Sequence, residues 1–283
     1  MTTDKKAFAP SMVILTEEPR VLRPPDLSLD GILGRFPGLA KVPALGITGS
    51  TAAGWGNPYS DIDIYAFTDG ECELPEDDSV ESWRSTDPRG LNRINWIGRY
   101  DDALVDLKVW PLDAPRRALA DFLDGNDPEL IEISYMLQDL IYRLSISQPL
   151  IGDDFFAQTR SLIATSTYPA ALARQLKVNT ENRLNDVAGQ LQAGDGLGAR
   201  MSAMSAAGFV TDCCLVLAGN LCRSEKWLLR RLERTPACGI TVSEYCSVVL
   251  DGPHPGESFT DCARRIANWV RATNIKIESA VLG

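Results

Sequence analysis

Two aspartates separated by one residue, Asp61 and Asp63, follow ten residues after a Gly-Ser pair, Gly49-Ser50, that closes an apolar run. In an extended strand, residues two apart point to the same face, so both carboxylates would stand side by side with Cα atoms about 7 Å apart. Ile62 and Ile64 would point the other way, into a core. Neighbouring carboxylates repel each other, and the pattern makes sense where they share divalent cations, typically Mg²⁺ bridging nucleotide phosphates. The Gly-Ser pair supplies a complementary half. A strand that ends in glycine and feeds a short helix presents free backbone amides and the positive end of the helix dipole to an anion. Glycine lets a phosphate approach the backbone, and the Ser50 hydroxyl adds a donor.

A third acid, Asp106, lies in the strand-like segment Ala103–Trp110 and is the best partner for the pair. It shares a face with Leu104, Lys108 and Trp110, so simple pairing with Lys108 is its other reading. Asp101, Asp102 and Asp113, at the ends of the segment, are weaker rivals. The single histidine, His254, sits in Gly252-Pro253-His254-Pro255-Gly256. That excludes His-pair metal sites, and a proline-flanked turn reads as a surface loop. Seven cysteines without a Cys-x-x-Cys spacing argue against zinc ribbons and a disulfide framework, and for reduced, mostly buried thiols.

The elements that must position these residues follow from hydrophobic patterning. Residues 1–26 read as an irregular lead-in with one strand at Met12–Leu15. Asp26 or Ser28 would cap a helix running to about Arg35, ended by Phe36-Pro37-Gly38. Val42–Thr48 reads as a buried strand and Asp61–Phe67 as an alternating one. Residues 69–90 look polar and loop-like, and Leu91–Arg99 and Ala103–Trp110 add two strands. From Asp113 onward the periodicity is helical, with Asp113 and Asp127 as helix caps before proline. Helices fit the stretch from Leu130 to Leu144, the stretch from Leu172 to Leu191, then Met201–Leu221, Glu225–Arg234, Val242–Leu250 and Ser258–Ser279. The expected architecture is an α/β domain over 1–113, a mixed sheet flanked by helices with the N-terminal lead-in, and an all-helical domain over 114–283 that closes a cleft.

Composition bounds the function. The 283 residues are 45% hydrophobic and 23% charged, which fits a core-forming chain rather than a disordered or fibrous one. The formal charge of −10 disfavours long nucleic acids, whose binding rests on Lys and Arg neutralising phosphates. No apolar run reaches the roughly 18–20 residues of a membrane span, and the N-terminus makes a poor signal peptide, so the expectation is a cytoplasmic protein without a membrane partner.

Taken together, Ala44-Leu45-Gly46-Ile47-Thr48-Gly49-Ser50 and Ser60-Asp61-Ile62-Asp63-Ile64, with Asp106 on a later strand, resemble the signature of the nucleotidyltransferase superfamily with the DNA polymerase β-like fold. In layout the chain is most similar to the small-molecule and aminoglycoside adenylyltransferases. The motif covers residues 42–110, and the helical half resembles the C-terminal domain of such enzymes more loosely. The resemblance implies two Mg²⁺ ions held by Asp61, Asp63 and Asp106, which are also the catalytic residues, with an NTP, ATP by default, cradled at Gly49 and Ser50. It implies transfer of a nucleoside monophosphate to a small-molecule acceptor with release of pyrophosphate, in antibiotic resistance or biosynthesis. The segment from Gly219 to Leu228 is similar to one in which an Asn and a Lys-Trp pair face the nucleotide, here Asn220 and Lys226-Trp227, so Lys226 would reach a phosphate oxygen. Arg230 and Arg231 read as surface charges. Seven acids between Asp69 and Glu81 would suit a cationic acceptor as a wall beside the metal site, or form a solvated loop. Trp55, Tyr59 and Trp96 would either stack on a base or sugar or serve as packing, the commoner role of aromatics near a turn. The sequence leaves the oligomeric state, the acceptor and the choice of NTP open. A non-catalytic nucleotide sensor, an antitoxin-like partner and a protein-AMPylating enzyme of the same fold all fit the same motif.

Overall fold

The computed structural model describes residues 27–57, 60–75, 81–100, 103–126, 132–235 and 237–282. The lead-in with its expected strand at Met12–Leu15, residues 76–80 of the acidic loop, and Tyr59, Asp101, Asp102, Asp127 and Leu130 lie outside the described residues.

A mixed six-stranded sheet carries the first half. Its strands are β1 (Ala44–Thr48), β2 (Ile62–Thr68), β3 (Glu81–Thr86), β4 (Asn92–Tyr100), β5 (Ala103–Pro111) and β6 (Gln148–Ile151), in the spatial order β3-β4-β5-β2-β1-β6. Among the described residues only β2 and β5 run parallel, and the other pairs are antiparallel. β1 is buried along its whole length, which explains its unbroken apolar run. Helix α1 (Leu29–Arg35) starts where Ser28 Oγ accepts from the Gly31 amide at 3.2 Å, so Ser28 rather than Asp26 is the cap. With Phe36 and Leu39 it covers the sheet face formed by Ile62, Ile64, Ala66, Val105 and Leu107.

The sheet differs from the sequence reading at two edges. Residues 81–86, expected as loop, form β3, paired residue for residue with β4. It is exposed on both faces, Trp83 included, so its burial shows no alternation, and Glu81 and Arg84 supply the charge that protects an edge strand. The sixth strand comes from residues 148–151, inside the stretch read as helical. It is short and contains Pro149, which only an edge position tolerates.

The opposite sheet face, Tyr65, Phe67 and Trp110, is continuous with the core of the helical half. Helices α2 (Gly49–Ala52) and α3 (Ala114–Leu119) are short; α4 (Tyr135–Ile146) and α5 (Asp153–Thr165) pack next to the sheet. Beyond them come α6 (Tyr168–Gln192), α7 (Gly196–Leu217), α8 (Leu228–Arg234), α9 (Val242–Tyr245) and α10 (Phe259–Leu282). By length and mean hydropathy α7 could cross a membrane, although no unbroken apolar run marks it; here it is the central helix, packed between α6 and α10. All seven cysteines are free, and Cys213, Cys214, Cys222 and Cys262 are buried. His254 is exposed, in a turn its backbone N–H closes on Glu257.

Arg231 is not a surface charge. It is fully buried, with Nη1 2.7 Å from Asp212 Oδ1 and Nε donating to Asn220 Oδ1 at 3.2 Å. Burial raises the Asp212 carboxyl above its ordinary range, and Arg231 offsets part of that rise. Removing one member strands a buried charge, whereas replacing both by apolar groups need not. Arg231→Met should therefore lower the urea-unfolding free energy by about 3–5 kcal/mol, and Arg231→Met with Asp212→Leu should recover most of it. A double variant no more stable than the single one would refute this account.

Candidate metal centre and its cleft

The site begins where β1 stops. Thr48 Oγ1 donates to the Arg143 carbonyl at 2.9 Å, tying the end of β1 to α4. Gly49 then turns the chain with φ +66°, a left-handed conformation that glycine adopts without strain. A Cβ at this position would collide with Asp63 Oδ2 and its carboxyl carbon. Glycine is thus demanded twice, by the backbone and by the carboxylate beneath it.

Asp61 immediately precedes β2 and Asp63 is its second residue. The parallel register sets Asp63 beside Asp106 of β5. One carboxylate oxygen from each of Asp61, Asp63 and Asp106 lies within 4.8 Å of the other two, and this triad is placed to bind a metal ion. All three donors are hard oxygens, the set that suits Mg²⁺ or Ca²⁺ rather than a thiophilic metal.

Counter-charges arrive from α4 and from the neighbouring strands β4 and β5. Arg143, on α4, places Nη1 2.6 Å from Asp63 Oδ1, off the line of a hydrogen bond, and Nε 2.6 Å from Asp139 Oδ1. Asp139 also accepts from the Tyr65 hydroxyl at 2.8 Å and from Arg93 Nη1 at 3.0 Å. Lys108 Nζ lies 2.6 Å from Asp106 Oδ2, so Asp106 both joins the triad and pairs with its strand neighbour. Burial pushes the Asp63 carboxyl above its ordinary range; Arg143 works against this and Asp61 adds to it. Burial would also raise Asp139, but Arg143 and Lys108 outweigh it and hold that carboxyl low. Asp139 and Arg143 escaped the sequence reading. Their one local signal was an acid and a base spaced i, i+4 in an otherwise apolar helix.

A cleft of about 220 Å³ opens over Asp61 and Asp63, and Asp106 is not among its lining residues. Gly49, Ser50, Asp61 and Asp63 form one wall, and Arg223, Ser224, Lys226 and Trp227 the other. Ser50 Oγ is buried and lacks a hydrogen-bond partner among the described residues. Lys226 is exposed, 5.2 Å over the Trp227 ring. Asn220 is absent from this cleft; its side chain is spent on Arg231, the Cys222 amide and Thr235. Trp96 is buried on the far face of the sheet, donating to Pro75 O, and Trp55 is buried against Trp227 with ring centroids 5.7 Å apart. Arg230 is exposed, as expected, and donates to Trp55 O at 3.0 Å; Arg234 donates to Ala53 O at 2.7 Å and Gly54 O at 3.2 Å. These bonds clasp α8 to the loop after Gly49-Ser50. Asp69, Glu71 and Glu73 line a different cavity at the far end of β2, about 20 Å along the strand from Asp63, whereas Glu81 pairs with Ile97, the β4 partner of Asp106, and so lies level with the triad two strands away.

No protein-family model matches the chain, and no curated protein does.

Because a side chain at 49 would displace the Asp63 carboxylate, Gly49→Ala should weaken Mn²⁺ binding, read by electron paramagnetic resonance, at least tenfold, and cost about 1–3 kcal/mol in stability. Gly34→Ala, in α1 where a Cβ meets nothing, should leave Mn²⁺ binding unchanged. Equal affinities in wild type and Gly49→Ala would show that the glycine does not shape the site.

Proposed function

We propose that this protein is a Mg²⁺-dependent nucleotidyltransferase that moves a nucleoside monophosphate, AMP from ATP by default, to a small-molecule acceptor. The observation that carries the reading is the convergence of Asp61, Asp63 and Asp106 from two parallel strands beneath the turn at Gly49-Ser50. The resemblance of residues 42–110 to the nucleotidyltransferase signature supports it. Asp61, Asp63 and Asp106 would hold two Mg²⁺ ions, which when bound supply charge neutralisation for the triphosphate and activation of the attacking oxygen. Gly49, with no side chain, admits phosphate oxygens to the backbone. Ser50 directs its unpartnered hydroxyl at the same group. Lys226 brings a cation from the opposite wall to the β- and γ-phosphates. An acceptor hydroxyl oxygen forms a bond to the α-phosphorus, and the bond from that phosphorus to the α–β bridging oxygen breaks. Pyrophosphate leaves with the electron pair, and the hydroxyl proton passes to Asp106. The chain's contribution is positioning and preorganised charge, the terms that dominate this class of transfer.

A second reading has its own observation. Lys108 and Arg143 already occupy Asp106 and Asp63. That favours a nucleotide sensor that binds an NTP and leaves it intact.

Thermal unfolding with each of ATP, CTP, GTP and UTP, with and without Mg²⁺, tests the shared part of both readings. A ligand at a hundred times its Kd adds about 2.7 kcal/mol of stability. One nucleotide should shift the midpoint upward only with Mg²⁺, and Asp63→Asn should keep the fold and lose the shift. No shift with any nucleotide would overturn both. Pyrophosphate release with pooled acceptors then separates them: release supports the transferase, and binding without release supports the sensor.

A further inference from the structure

Behind Arg223 and Lys226 lies a second cavity, of about 640 Å³, in the helical half. Those two side chains line both it and the carboxylate cleft, so the two spaces adjoin through a cationic neck. Its walls have the opposite character. Met204, Phe209, Leu229 and Val249 face it, and Met201 and Leu250 at its edge remain 60% and 45% exposed. Apolar side chains left open around a concave space are the usual signature of a small-molecule pocket.

Three further features bear on what would fill it. The guanidinium of Arg223 lies 5.8 Å from the centroid of Phe209, a cation over a ring that forms a flat platform at the neck. The one acid on the floor, Asp212, is already neutralised by Arg231. The rim thus presents Arg223, Lys226 and Arg230 against Glu225 alone, which opposes a cationic guest. Lastly, Gly208 sits inside α7 on this wall, and a Cβ there would meet nothing within 4 Å. Glycine is worse than alanine in a helix interior, and no close approach explains it here; its effect is to leave the cavity wider.

The geometry points to this cavity as the seat of the acceptor's body: a small, flat, largely apolar molecule whose polar end projects past Arg223 and Lys226 into the carboxylate cleft. The word acceptor rests on the nucleotidyl-transfer reading; the ligand chemistry rests on the walls alone. It departs from the expectation of a cationic acceptor, since Asp69, Glu71 and Glu73 lie at the other end of β2.

8-Anilinonaphthalene-1-sulfonate, an aromatic body with one anionic end, is the probe, titrated by fluorescence into the full chain with and without ATP and Mg²⁺. Wild type should show one saturable site, retained when ATP and Mg²⁺ are present. Gly208→Leu should weaken it at least tenfold. Gly208→Ala should weaken it less while raising the thermal midpoint, a divergence that a purely structural role would not produce. The midpoint shift produced by ATP and Mg²⁺ should survive both substitutions. Unchanged dye affinity in both variants, or displacement of the dye by ATP and Mg²⁺, would overturn the proposal. A dye site sensitive to Gly208 in a protein that binds no nucleotide would uphold the cavity's ligand chemistry and overturn the transferase reading instead.

Discussion

Four carboxylates, Asp61, Asp63, Asp106 and Asp139, crowd together between the sheet and α4, and much of the structure answers the repulsion among them. Two unit charges at the 4.8 Å limit of the triad repel by about 3 kcal/mol at an effective dielectric of 20. Arg143, Lys108 and Arg93 offset most of that, and each comes from a different element. Arg143 carries the largest share because it bridges Asp63 and Asp139 at once. Its reach requires α4 to lie close against the end of β1, which the hydrogen bond from Thr48 to the Arg143 carbonyl secures. Gly49, next in sequence, then has no room for a side chain. Three cations against four acids leaves the cluster short of one positive charge, and Asp61 carries no described cation. A divalent ion would meet that deficit.

What could be read in advance divides by range. Asp61 and Asp63 were legible because strand alternation is a local rule, and Asp106 because it lies on a strand with the same alternation. Ser28 was legible as a cap for the same reason. Arg143 and Asp139 were not, since nothing in a helix's own sequence says which sheet face it will cover. Arg231 looked like a solvated lysine-like charge beside Arg230; only the packing of α8 on α7 makes it a buried partner for Asp212. β3 was invisible because Trp83 is its one apolar residue and neither face is buried, and β6 because four residues with a proline carry too little pattern. The acidic loop illustrates the reverse failure. Its acidity is plain in the sequence, but the length of β2 sets Asp69, Glu71 and Glu73 far from the triad, while strand pairing returns Glu81 to the triad's level.

The two cavities share walls that belong to different parts of the chain. The clasp from Arg230 and Arg234 to the carbonyls of Ala53, Gly54 and Trp55 joins residues more than 170 positions apart. It holds α8, and with it Lys226 and Trp227, at a set height above the triad. The stacked Trp55 and Trp227 fill the space beside it. Neither half of the chain forms the cleft alone.

β6 bears on how the protein is made. It hydrogen-bonds to β1 on the side away from β2, between α4 and α5 in sequence. During synthesis β1 emerges early, but its free edge stays unpaired until residue 151 has left the ribosome. An apolar strand with a bare edge is a template for pairing with other chains. The nascent polypeptide therefore passes through an interval of roughly a hundred residues in which the strand bearing Gly49 is exposed to misassembly. Chaperone dependence should be concentrated in that window rather than in the completion of the helical half.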